Sequence, residues 1–251
     1  MNSNQQPYPE LPATKVLFID GRVPDLQAIV AAAEAGVKVV VLDPNQNGVQ
    51  QMAQALQGMH DVASISVVSH GDPGMLLLGN GPLFSGNLQA HSADLKAIGD
   101  ALGPDGDLLL YGCDVGAGEA GAQFLAALAE LTGADVAASL DGTGTAARGG
   151  DWELEISTGV IDAAPVLDAH SLEGYSYYLH TASVNTRAAL QAAITAGNID
   201  GAADFITLTG NITLAASETI VINVTDGQTM NIVGGGNILS GNSLGLSLIH
   251  I

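Results

Sequence analysis

Basic side chains are what this sequence most lacks: 6 lysines and arginines stand against 26 aspartates and glutamates in 251 residues, a formal net charge of −20. That imbalance repels phosphate backbones and anionic lipid surfaces, so neither nucleic acid nor membrane insertion is expected. Cysteine is scarcer still. Cys113 is the only one, so no internal disulfide can form and the thiol is free in any compartment. Unbroken apolar runs are missing as well: mean hydropathy is +0.30, yet the stretch from Leu26 to Leu42 is interrupted by Glu34 and Lys38, and no transmembrane helix is expected. The polar, proline-bearing residues 1–13 lack the apolar segment of a signal peptide and read as a disordered leader. There is no Gly-x-Ser-x-Gly elbow, no P-loop and no glycine-rich turn after the first strand, which argues against an α/β-hydrolase or a nucleotide-binding fold. Histidines 60, 91, 170, 180 and 250 show no metal spacing, so no metal site and no cofactor are expected. The loop 141–151 holds aspartates and glycines suited to calcium but offers no complete ligand set.

What is present is an alternation of apolar runs and helical periodicity. The runs "KVLFID" (15–20), "VKVVVLD" (37–43), "SISVVSH" (64–70), "DLLLYGC" (107–113) and "ADVAAS" (134–139) are too continuously apolar to have a wet face. They predict central strands of a parallel sheet. Helices are predicted near 24–35, 49–58, 92–102 and 119–132, with Pro24 in a first turn. This gives βαβ units with helices on both sheet faces and the C-terminal strand ends along one ligand-binding edge. "MLLLGNGPLFS" (75–85) predicts a hairpin around Asn80-Gly81. After residue 140 a glycine-rich loop leads to a strand with Trp152 that could close the sheet edge. Residues 166–182 read as a connector, and 183–251 as a second unit.

In that second unit, short alternating strands recur with Asn-Ile steps at 211–212, 231–232 and 237–238, the texture of a beginning parallel β-helix. So few coils bury little core by themselves, so the chain is expected to be part of something longer; the ending "LSLIHI" carries no reading. Asn211 and Asn223 sit in sequons that carry little weight.

Two strand ends carry the chemistry. His70 closes the third run and Cys113 the fourth, which places both side chains on the ligand edge if the strands are neighbours. An imidazole takes the thiol proton and stabilises the thiolate, and the helix predicted near Glu119 turns its positive end the same way, so a lowered thiol pKa is expected. The amides of Gly71 and Cys113 could form an oxyanion hole. Asp72 and Asp114 follow the two candidates and could orient the imidazole or cap turns. Against this stands the plainer reading, in which a lone cysteine among apolar residues is a small buried hydrophobe.

An apolar strand ending in "SHG" and another ending in "GC" resemble the caspase, gingipain, legumain and separase group of cysteine peptidases. "VVSHGDPGMLLLGN", "LLLYGCDVGAGEAGAQFLAALAELTGADVAASLDGTG" and "GGDWELE" are similar to a domain near the N-termini of very large bacterial surface and secreted proteins, over roughly residues 14–165. The resemblance implies a caspase-like three-layer sandwich with His70 as general base and Cys113 as nucleophile. It also implies a specificity pocket to which Asp20 and Arg22 could contribute. The Gln-Ala-Cys caspase signature is replaced by Tyr111-Gly112-Cys113-Asp114, so preference for aspartate is not carried over. The expected function is a cysteine endopeptidase acting on a protein or peptide, including its own downstream chain, at the cell surface or in secreted form without a signal peptide. The alternatives are an inactive anchoring, secretion or recognition module, a thiol acyl or amide transferase, and a cytoplasmic location.

Overall fold

A computed structural model describes residues 15–197, 204–215, 220–222 and 229–241. The leader, Asn223 and the ending "LSLIHI" lie outside the described residues. The first unit is built on β1 (Lys15–Asp20), β2 (Lys38–Leu42) and β3 (Val62–Val68). A small antiparallel sheet follows, of β4 (Gly71–Asp72), β5 (Met75–Leu78) and β6 (Gly81–Phe84), and then β7 (Leu102–Tyr111), β8 (Asp135–Ala138) and β9 (Ile156–Ser157). The six-stranded order is β2-β1-β3-β7-β8-β9. All neighbours are parallel except β8 and β9, so the central sheet is mixed and a short antiparallel strand closes its edge.

Strand alternation divides the core into two layers. Val16, Phe18, Ile65, Val67, Leu108 and Leu110 face one side, packed with Val49, Met52, Leu95, Ile98, Phe124 and Leu128. Those partners come from α2 (Gly48–Ala55), α3 (Ser92–Ala101) and α4 (Gly118–Thr132). Leu17, Ile19, Val68, Leu109 and Tyr111 face the other side. The runs look uniformly apolar because both faces are covered.

The covering of the second face departs from the expectation of helices on both. Among the described residues the only α-helix there is α1 (Leu26–Ala31), shorter than predicted at both ends: its N-cap Asp25 takes a left-handed conformation (φ 46°), so the helix begins past Pro24, and it stops at Ala31. The rest is irregular chain: Val166, Leu167, Leu172, Tyr175 and Leu179 are buried in that cluster. Residues 166–182, expected as a connector, thus supply core to the first unit. Trp152 is not on the closing strand; it packs between Tyr111 and Tyr175, ring centroids 6.4 and 5.4 Å away.

Beyond it, β10 (Ala182–Val184), β11 (Asp204–Leu208) and β13 (Met230–Val233) form a parallel three-stranded sheet, and β12 (Ile212–Leu214) pairs with β14 (Leu239–Gly241). α5 (Arg187–Gly197) contributes Leu190 and Ile194 to a separate core with Val184, Ile206, Leu208, Ile212 and Leu214. Two of the Asn-Ile steps meet: Ile212 N–H donates to the Ile238 carbonyl, and the Asn211 side chain accepts from Ile238 N–H at 2.8 Å. Among the described residues no helix is long and apolar enough to cross a membrane.

Candidate functional site

β3 and β7 are neighbours, in register from Ser64–Asp107 to Val68–Tyr111, so their C-terminal ends reach one edge together. Ser69 N–H extends the ladder by donating to the Tyr111 carbonyl at 3.0 Å. The next turn is fixed by the hairpin: Leu77 N–H donates to the His70 carbonyl at 2.9 Å, and Ser69 Oγ donates to the Leu77 carbonyl. Gly71 then passes so close to the other strand end that a Cβ there would lie 2.7 Å from the Cys113 carbonyl oxygen and 2.6 Å from Val115 Cγ2. Glycine is required by that approach, and it joins the two corners backbone to backbone.

The His70 ring lies between two carbonyls. Nδ1 is 3.1 Å from the His180 oxygen and Nε2 is 3.4 Å from the Arg22 oxygen, while one face of the ring packs on Phe205 at a centroid distance of 4.2 Å. Burial pushes the imidazole pKa down to about 4, against the upward pull of those carbonyl contacts; the charges of His180 and Arg22 add small downward effects. At neutral pH the ring is uncharged and donates one hydrogen bond.

Asp20 and Arg22 build the turn that presents one of these carbonyls. The fully buried Asp20 carboxylate accepts from the amides of Arg22 at 2.9 Å and Gly79 at 2.6 Å. The Arg22 guanidinium lies 3.7 Å from that carboxylate and donates to the Pro44 carbonyl at 2.6 Å and to the Gly79 carbonyl. Burial raises the Asp20 pKa, and the hydrogen bonds and the guanidinium oppose it. These side chains are spent on the backbone, and it is the Arg22 main chain that faces the imidazole.

Cys113 is fully buried. Its sulfur accepts from Thr143 N–H at 3.2 Å and donates to the Thr143 carbonyl at 3.4 Å. The expected lowering of the thiol pKa is reversed: burial pushes it up to about 12, the Asp114 charge adds to this, and the amides of Thr143, Leu179 and Cys113 itself oppose it. The sequence does not show the covering chain that removes water, and that desolvation is the largest effect on the thiol. The Thr143 hydroxyl beside this sulfur is buried with no hydrogen-bond partner.

The covering chain is the segment Tyr177–Ser183. Gly71 N–H and Cys113 N–H both donate to a single acceptor, the Leu179 carbonyl oxygen, at 2.9 and 3.2 Å. Upstream the segment pairs with the 143–145 loop: Thr145 N–H donates to the Tyr177 carbonyl at 2.8 Å and Leu179 N–H to the Thr143 carbonyl at 3.0 Å. Downstream, Thr181 N–H donates to the Gly71 carbonyl at 2.9 Å. The Tyr178 ring lies against Gly142, where a Cβ would be 1.7 Å from the hydroxyl oxygen. The segment is therefore held extended on both sides of Leu179. Sequence reading missed it, although three of the five tyrosines of this aromatic-poor chain fall at 175, 177 and 178.

The two aspartates after the strand ends serve this segment and its neighbours. Asp72 Oδ2 accepts from Ser183 N–H at 2.9 Å and from the Ser183 hydroxyl, and Oδ1 lies 3.9 Å from His180 Nε2. Asp114 adopts a left-handed turn (φ 60°) and its amide donates to the Asp141 carbonyl at 2.6 Å. Neither aspartate is hydrogen-bonded to His70. Nearby, Asp141, Asp151 and Glu155 bring ligand oxygens within 4.8 Å of one another, all three residues exposed. That adds Glu155 to the loop singled out for calcium.

A family model described as a domain of unknown function (DUF4347) matches residues 16–179. The chain belongs to that family. No curated protein matches the chain. The DUF4347 match takes in both strand ends and the covering segment as far as Leu179.

Proposed function

We propose that the DUF4347 domain is a cysteine endopeptidase of the caspase-like kind, with Cys113 as nucleophile, His70 as general base and acid, and the amides of Gly71 and Cys113 as the oxyanion hole. The observation that carries this reading is the convergence of those two N–H groups on one carbonyl oxygen, beside an imidazole that faces the carbonyl of the next residue. Two donors aimed at one carbonyl oxygen are what a tetrahedral intermediate needs. A substrate strand bound like Tyr177–Ser183 would have its scissile carbonyl polarised there. Cys113 Sγ attacks that carbon, His70 takes the thiol proton and passes it to the leaving amide nitrogen, and water then hydrolyses the thioester. To act as base the ring must carry its proton on Nε2, towards the Arg22 carbonyl, and turn Nδ1 away from the His180 carbonyl that it faces at 3.1 Å. Asp20 and Arg22 act as positioning residues through their turn.

The domain is proposed to work at the cell surface or in secreted form, on its own or a neighbouring protein, and the parallel strands after residue 182 to begin a β-helix. A second reading, an inactive anchoring or recognition module, is favoured by one observation: the thiol is buried and held protonated. Peptidyl acyloxymethyl ketones, which react with an activated thiol, separate the two. The peptidase reading expects an adduct on Cys113 that disappears in His70→Ala, read by peptide mass mapping. An adduct formed equally well without His70, or none at all, supports the inactive module.

A further inference from the structure

We propose that the domain cleaves its own chain between Leu179 and His180; this deepens the peptidase reading above and rests on it. The argument begins with the acceptor. A carbonyl in an ordinary β ladder takes one N–H from one neighbouring strand, whereas the Leu179 oxygen takes two, from the turns that end β3 and β7. No other carbonyl of the segment is held in this way. It is the position in which a substrate carbonyl would be activated, and it is filled by a residue of the same chain.

The surroundings fit a substrate on both sides of that bond. Before it, the Leu179 side chain is fully buried in the apolar cluster that contains Val68, Tyr111 and Cys113. A pocket of that character selects a leucine-sized aliphatic side chain on the acyl side and excludes a charged one. After it, His70 Nδ1 is 3.1 Å from the carbonyl of His180, the residue whose amide nitrogen would leave. The His180 side chain is half-exposed, so this side of the bond makes little demand on residue type. Backbone bonds to Thr143, Thr145 and Gly71 hold the chain extended through the site.

The chemistry balances with water as co-reactant. The Cys113 sulfur bonds to the Leu179 carbonyl carbon and its proton passes through His70 to the His180 nitrogen, breaking the C–N bond. Water then adds to the thioester, leaving a Leu179 carboxylate, a free His180 amine and a regenerated thiol. The new carboxylate keeps the same two amide donors, so the first product blocks the site. The cut separates the matched family domain from the parallel strands that start at Ala182.

The test uses the purified full chain at neutral pH, followed by intact mass and N-terminal sequencing. The expected result is one cut giving a fragment that ends at Leu179 and another that begins His180-Thr181-Ala182. Its first-order rate should be independent of chain concentration. Cys113→Ala should stay whole, and His70→Ala should slow the cut about a hundredfold or more. Leu179→Met should still cut and Leu179→Lys should not, with circular dichroism confirming that each variant folds. An uncut full chain, or a cut at another bond, overturns the proposal. Leucine-terminated acyloxymethyl ketone then distinguishes the cause. His70-dependent labelling of Cys113 in an uncut chain leaves the peptidase reading standing and makes the segment a resident blocker. No labelling in either the full chain or Leu179→Met brings down both.

Discussion

The two corners of the site are built alike and titrate in opposite directions. His70 and Cys113 each follow the end of a central parallel strand, and each is fully or almost fully buried. Burial disfavours the charged form of both groups, so it pushes the imidazole down to about 4 and the thiol up to about 12. An ion pair of thiolate and imidazolium needs the reverse of both shifts. At rest both groups are therefore neutral beneath the covering segment. Residues that read as a thiol–imidazole dyad in sequence are both held neutral in the fold because the covering chain removes their water.

The largest test of that comparison is thiol reactivity. A thiol moved from an ordinary value of 9.0 to about 12 has its thiolate fraction at pH 8 reduced about a thousandfold. Iodoacetamide should therefore modify native Cys113 about a thousandfold more slowly than the denatured chain, as read by mass spectrometry. Equal rates in the two states would show that the covering segment does not desolvate the sulfur.

The imidazole corner gives the next largest effect, through stability. Unfolded His70 takes up a proton near its ordinary value of 6.5, whereas the folded ring resists until about 4. Between those values the unfolded state binds more protons, so stability falls as pH drops from 6.5 to 4 and levels off below. The change is on the order of 3 kcal/mol. Asp20 and Asp114 have raised values in the fold and work the other way, gaining stability as pH falls. Urea melts across this range should thus be compared between the native chain and His70→Gln, whose slope should lack the histidine's share. Superimposable slopes would mean that the ring is not desolvated.

The strand ends were legible because their causes are local. Continuous apolar runs predict buried parallel strands, and His-Gly and Gly-Cys at their ends mark where the chain must turn tightly. The hairpin of β5 and β6 was legible from Asn80-Gly81 for the same reason, although its two-residue turn is Gly79-Asn80 and Gly81 already opens β6. The stretch "GYSYYLHTAS" was not, because it has neither helical nor strand periodicity. Its extended form comes from pairing with Gly71 and with Thr143 and Thr145, residues more than thirty or a hundred positions away. The thiol's protonation was misread for the same reason, since desolvation belongs to the covering segment and not to Cys113's own neighbours in sequence. Asp20 and Arg22 were legible as important, but their role is carried by backbone groups whose direction no side-chain pattern reveals.

Joining the corners at Gly71 allows a third test. In Gly71→Ala the new methyl would sit 2.7 Å from the Cys113 oxygen and 2.9 Å from the Gly112 carbonyl carbon, both backbone atoms that move only with their strand. Overpacking of this kind costs about 1–3 kcal/mol, measurable in a denaturant melt. It should also pull one of the two amides off the Leu179 carbonyl. A fully stable Gly71→Ala would show that the two strand ends are less tightly joined than their backbones indicate.

The smallest effect separates the covering segment from the corners it covers. Asp72 contacts neither the imidazole nor the thiol by hydrogen bond; its carboxylate holds the Ser183 amide and hydroxyl just past Thr181. Asp72→Ala removes those acceptors and should cost about 1 kcal/mol, toward the low end for charged hydrogen bonds because the side chain is partly exposed. That loss falls on the segment's attachment, so opening becomes about fivefold more frequent. Cys113 should then react about fivefold faster with iodoacetamide while its local environment when closed is unchanged. The pH slope assigned to His70 should also survive, since the closed state still predominates. A drop in stability with no gain in labelling would place the barrier to the thiol in the 143–145 loop, which bonds the sulfur directly, and not in the strand that lies across it.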